Sequence, residues 1–113
     1  MILVIVWDGL RPDMITPERT PYLHRMAREG VFCTAGHSAF PTATRINSAT
    51  ITTGCYPHTN GLMGLVHRGW ELDVDKCPPL PKLLGDEGYQ THLFGFQHEH
   101  YDPSRLGYQH DHQ

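Results

Sequence analysis

Three residues of this chain have the type and setting for chemistry: Thr44, Asp8 and His98. Thr44 stands where the loop from Phe40 gives way to a helical pattern, in which Ile46, Ala49, Thr50 and Thr53 recur at i, i+3, i+4 and i+7 and Gly54 is placed as a stop. A hydroxyl at that start faces unpaired backbone N–H groups and the positive end of the helix dipole, a setting that favours phosphate or sulfate. Capping alone also accounts for a threonine there. Asp8 closes the apolar run that precedes it and is followed by Gly9. In open α/β sheets ligands gather at the carboxyl ends of strands, so a carboxylate at that edge is placed to hold a metal or a substrate. A solvated turn aspartate fits the same place. His98 lies just beyond the strand-like stretch 89–96 and is the second candidate for chemistry, although a surface histidine without a role fits there too.

Positioning those residues requires particular elements. Met1 to Trp7 is a continuous β-branched run, as expected of a central strand buried on both faces. Thr20-Pro21 opens a helix with an N-cap hydroxyl, Leu23, Met26 and Ala27 give it an apolar face, and Gly30 ends it. Val31 to Phe40 is apolar enough for a second strand that runs into the Thr44 loop. Cys55 to Gly64 is dense in Pro, Asn and Gly and reads as a loop against the Thr44 helix. Trp70 is expected to anchor the next stretch, where His67-Arg68 could meet an anion or face water. Leu80, Leu83 and Leu84, with Gly88 behind them, predict a third helix, and Tyr89 to Phe96 the next strand. The order is that of an α/β layered fold with a mainly parallel sheet, in a single domain over 1–113.

Composition narrows the function classes. With 39% hydrophobic and 19% charged residues the 113-residue chain has the balance of a globular domain, and a net charge of -3 carries no basic excess for a nucleic-acid partner. The apolar run Ile2 to Trp7 is too short to span a membrane. Cys33, Cys55 and Cys77 are odd in number and widely spaced, so neither a disulfide framework nor a zinc site is expected, and a reducing, cytoplasmic setting fits best. Of the nine histidines, His98, His100, His110 and His112 crowd the end of the chain, where a His-rich tail can bind metal adventitiously.

Four segments, taken together and in order, resemble the alkaline phosphatase superfamily, specifically its sulfatases and type I phosphodiesterases. Val4 to Arg11 looks like the first metal-binding strand. Thr20 to Gly30 is similar to the helix written TPNLDRLAxEG. Thr44 to Gly61 matches the nucleophile helix and the TGxYPHxxG segment, and Leu80 to Gly95 resembles LxxLLxxxGYxTxxFGKWH, which sets His98 on the family's active-site histidine. The resemblance implies a three-layer α/β/α sandwich, Thr44 as nucleophile and metal ligand, Asp8 as metal ligand, and a divalent ion: zinc if the protein is phosphodiesterase-like, calcium if it is sulfatase-like. It also implies that the chain is the N-terminal portion of a longer enzyme whose other half supplies the remaining Asp and His ligands.

The departures from the pattern make the sequence a hybrid, sulfatase-like in its flanks and phosphodiesterase-like at its nucleophile. Where sulfatases carry CxPSR or SxPSR, this chain has Thr44-Arg45-Ile46-Asn47-Ser48, and threonine cannot become formylglycine. Ser48 replaces the supporting arginine, Phe96 the lysine of GKWH, and Gly9 the second aspartate of the sulfatase pair. Asp-Gly followed by a threonine nucleophile is the pattern of nucleotide pyrophosphatases and type I phosphodiesterases, although the asparagine that branch carries further on is Leu65 here. The expected function is metal-dependent hydrolysis of phosphate or sulfate esters of a small molecule or glycan. A non-catalytic remnant of the same fold is the alternative.

Overall fold

The computed structural model describes residues 1–64 and 69–112, so Leu65 and His67-Arg68 lie outside it. The chain divides into two compact units, Met1–His37 and Ser38–Gln113.

In the first unit the expected central strand does not form. Met1 to Trp7 enters no ladder, and each side chain from Ile2 to Trp7 is more than half exposed. A β-branched run favours a strand only where a neighbour supplies the facing N–H and C=O groups, and the other expected strand, Val31 to Phe40, forms none either. Trp7 and Asp8 lead instead into a turn, with the Leu10 N–H reaching the Trp7 carbonyl at 3.4 Å and Gly9 at φ +76°, a conformation glycine adopts without strain. After one 3-10 turn at Pro12–Met14, helix α1 spans Pro21–Glu29 as its proline start and Gly30 end predict. Thr20 holds the N-cap position, but its hydroxyl donates backward to the Met14 carbonyl at 3.2 Å instead of capping.

The second unit holds the core. Helix α2 spans Thr44–Thr53 and buries Ile46 and Ala49, the face its spacing predicts, and ends on Gly54 at φ +66°. Its threonines are poor helix formers. Three of them return a hydroxyl to the preceding turn, Thr50 to Ile46 at 2.9 Å, Thr52 to Ser48 at 3.0 Å and Thr53 to Ala49 at 2.6 Å, which removes their competition for backbone elsewhere. The expected loop after Gly54 contains one helical turn, α3 at Pro57–Asn60, packed on α2. Fully buried Asn60 organises it, donating to the Cys55 carbonyl at 3.0 Å and accepting from the Leu62 N–H at 2.9 Å. Ala49, Leu62, Leu72, Val74 and Leu106 form the core, with Tyr108 against it. Trp70 is not part of that core: it is 42% exposed and lies against Gly64, where a Cβ would come within 2.6 Å of its ring.

Helix α4 at Leu80–Asp86 matches the third expected helix. The expected strand 89–96 shortens to β1 at His92–Phe94, which pairs in parallel with β2 at His110–His112 in the register His92 to His110. The composition is thus mixed helix and small parallel sheet, compatible with an α/β fold. No described helix is long and apolar enough to cross a membrane.

Between the two strands, Gly107 crosses α4 so closely that a Cβ would lie within 2.3 Å of the Lys82 Cα, and its φ is +88°. Strain in the left-handed region and overpacking against backbone add there. Gly107→Ala is expected to destabilise the protein by about 2 kcal/mol or more, read as a lowered urea midpoint. Gly88→Ala, at φ +84° with open space around it, carries only the conformational term, about 1 kcal/mol.

Candidate functional site

Thr44 is the first residue of α2, and the N-cap is Ala43. The capping explanation for this threonine is therefore set aside: no side chain caps the helix, and the exposed Thr44 hydroxyl is not used for that purpose. The loop that delivers it is held by Asn47. The Asn47 carboxamide accepts from the Ala39 N–H at 2.7 Å and donates to the Ala39 carbonyl at 3.3 Å, pairing both backbone groups of one residue as a neighbouring strand would. The same Nδ2 lies 3.4 Å from the Pro41 carbonyl and 3.1 Å from the Ala43 carbonyl. Four loop groups converge on one side chain, which sets the path into Thr44.

The electrostatics of the first turn favour an anion. It contains no acidic residue and does contain Arg45, whereas a helix stabilised for its own sake carries Asp or Glu there. Dipole and unpaired N–H groups raise the potential at the start of α2. Arg45 reaches across to the loop that carries His98, its Nη2 donating to the Glu99 carbonyl at 3.3 Å, while its Nε is buried without a partner among the described residues. Burial lowers the Arg45 pKa, and the neighbouring Tyr101, Glu99 and Glu71 side chains pull it back up. An arginine remains charged under these conditions.

The His98 loop is internally braced. Gln97 Oε1 accepts from the Glu99 and His100 N–H groups at 2.9 and 3.0 Å, and its Nε2 donates to the His100 carbonyl at 2.6 Å. Glu99 is buried, 5% exposed, and its carboxylate accepts from the His98 N–H at 2.9 Å. His98 itself is exposed. The structure thus ties the neighbours of Thr44 and His98 together through Arg45 and Glu99, within one unit. Asp8 is exposed in the turn of the other unit.

Asp8 and Thr44 each carry an oxygen of the kind a divalent ion accepts, in different units, whereas a catalytic zinc takes three ligands from the protein. Among the described residues no three His, Cys, Asp or Glu side chains are grouped to hold an ion. An open groove lined by Asp75, Lys82, Asp86 and Arg105 contains neither Thr44 nor His98, and its charges already pair, Lys82 with Asp86 at 3.6 Å and Arg105 with Asp75 at 3.7 Å. Sequence reasoning passed over Arg45, Asn47 and Glu99. A cation in the first turn of a helix, against the dipole, was the legible signal for Arg45. Nothing local marks Glu99 as buried.

Two outcomes follow from this geometry. Asn47→Ala leaves the Ala39 N–H without its partner and is expected to cost about 1–3 kcal/mol. Asn47→Asp keeps the acceptor but turns a charge toward three carbonyl oxygens, so it should destabilise at least as much at neutral pH and recover as acid protonates it; urea midpoints against pH read both. The second concerns Tyr108, whose hydroxyl is pushed above its ordinary pKa by burial and, less, by the Glu99 charge. A raised folded pKa contributes stability that is intact below the unfolded value of about 10 and is lost as pH rises through the folded one. Tyr108→Phe is expected to flatten that alkaline loss of stability.

Comparison with known proteins gives a family. The type I phosphodiesterase / nucleotide pyrophosphatase family matches residues 2–78, which include Asp8 and Thr44. The steryl-sulfatase of Mus musculus is 37% identical over 87 residues, 71% of this chain. The chain spans 14% of that relative's length. No solved structure matches. By its match over more than half its length, this chain belongs to the type I phosphodiesterase / nucleotide pyrophosphatase family, in the alkaline phosphatase superfamily.

Proposed function

We propose that the chain carries the nucleophile of a metal-dependent hydrolase that acts on phosphate esters by direct attack of the Thr44 hydroxyl. The observation that carries this reading is the first turn of α2: an exposed hydroxyl not used as a cap, at the positive end of a ten-residue helix, with Arg45 beside it and no acid. The family match and the sulfatase relative support an ester hydrolase of this kind. The three-layer α/β/α sandwich is proposed for the whole protein.

In this reading the Thr44 hydroxyl gives its proton to His98 as Oγ1 bonds to phosphorus, the bond from phosphorus to the leaving oxygen breaks, and His98 passes that proton to the leaving oxygen. Water then cleaves the phospho-threonine, returning the hydroxyl. The N–H groups of the first turn and the Arg45 charge meet the negative charge on the transferring group. Asp8 and Thr44 would hold part of a divalent ion, zinc in the phosphodiesterase pattern, whose chemistry is to lower the pKa of an otherwise weakly nucleophilic hydroxyl. Formylglycine chemistry is closed to threonine, and a sulfated threonine lacks the aldehyde hydrate's route of breakdown by elimination. Phosphodiesters or phosphomonoesters are therefore the proposed substrates over aryl sulfates.

The test is a side-by-side assay of a nitrophenyl phosphodiester, phosphomonoester and sulfate on the natural full-length protein. A phosphate ester should turn over fastest, and Thr44→Ala should lower kcat by about a thousandfold or more, as loss of a nucleophile does. Because the Thr44 side chain is exposed and does not cap α2, the same variant should keep its unfolding free energy within about 0.5 kcal/mol. Sulfate as the best substrate, or undiminished activity in Thr44→Ala, would overturn the assignment. An inert full-length protein would favour the non-catalytic alternative.

A further inference from the structure

The β1–β2 ladder gathers three of the histidines on one face. His92, His110 and His112 come together because the parallel register sets His92 opposite His110, and residues two apart on a strand share a face. His92 Nδ1 and His112 Nε2 lie 3.2 Å apart. A transition metal bound by two imidazoles at about 2.0–2.1 Å holds their nitrogens about 2.9 Å apart at a right angle and about 3.4 Å apart at the tetrahedral angle. The observed separation falls between these two values.

Both rings are also held in place. His110 stacks on His92 with centroids 4.4 Å apart, and Phe94 stacks on His112 at 4.4 Å and 8°. The planes of His92 and His112 are within 6° of each other. Ring orientation, which a flexible pair must fix on binding, is thus fixed beforehand. Both strands are exposed along this face, leaving further coordination positions to water.

We propose that His92 and His112 form a two-imidazole chelate for a borderline transition-metal ion, copper(II) most tightly and then nickel(II) or zinc(II), following the Irving–Williams order. The ion replaces the single hydrogen bond between the two nitrogens. The ring that donates that hydrogen bond moves its proton to its other nitrogen, so that each nitrogen facing the ion offers it a lone pair. Such an ion clips β2 to β1, two three-residue strands that are marginal as an isolated pair. This site is separate from Thr44 and Asp8 and does not depend on the hydrolase reading.

The experiment is titration of the purified metal-free chain with copper(II), read by calorimetry and by electron paramagnetic resonance. One ion per chain in the micromolar range is expected, with hyperfine structure from two imidazole nitrogens. His92→Gln and His112→Gln should each weaken binding by about tenfold or more and leave at most one nitrogen in the spectrum. His100→Gln, elsewhere in the His-rich tail, should change neither. A wild-type spectrum with a single nitrogen, unchanged binding in His92→Gln or His112→Gln, or an equal loss in His100→Gln would overturn the proposal.

Discussion

The geometry of the candidate site rests on the carboxamide of Asn47. A loop entering a helix leaves backbone groups with no regular partner, and here the Ala39 N–H and the carbonyls of Ala39, Pro41 and Ala43 all turn to that one side chain. Because Asn47 lies one turn into α2, whatever holds the helix also holds the loop. Ile46 and Ala49, its buried neighbours, pin the helix to the core. The Thr44 hydroxyl is thereby presented by a rigid element, although the residues before it form no strand.

That rigidity coexists with electrostatics unfavourable to the helix itself. Arg45 in the first turn opposes the dipole, and its Nε is buried without a partner among the described residues. The partial compensation comes from the His98 loop, through the Glu99 carbonyl and the nearby negative charge. Under the proposed function, an anionic group bound at Thr44 would relieve the remainder. Such conflicts are expected at functional sites, where local consistency gives way.

Much of the site's surroundings could be read from the chain. Gly54 and Gly30 end their helices, the i, i+3 spacing marks the buried face of α2, and Thr44 falls at its start because each depends on residues within one or two turns. The motifs around Thr44 and Asp8 also lie within the segment that matches the family, since motif spacing is a property of sequence alone.

Tertiary structure decided what depends on pairing at a distance. The run Met1 to Trp7 has the composition of a central strand, but a strand exists only with a partner, and composition does not supply one. Conversely β2 is a mere three residues of His and Asp, with no β propensity, and forms because Thr91 accepts from the Gln109 and His110 N–H groups at 3.1 Å and sets the register. The burial of Glu99, the reach of Arg45 to it over 54 residues, and the meeting of His92 with His112 over 20 belong to the same class. Local sequence determined α1, α2 and α4 and where the Thr44 hydroxyl stands. Long-range contacts alone determined which charges and imidazoles stand beside one another, because side-chain encounters between distant segments are set by packing and not by local propensity.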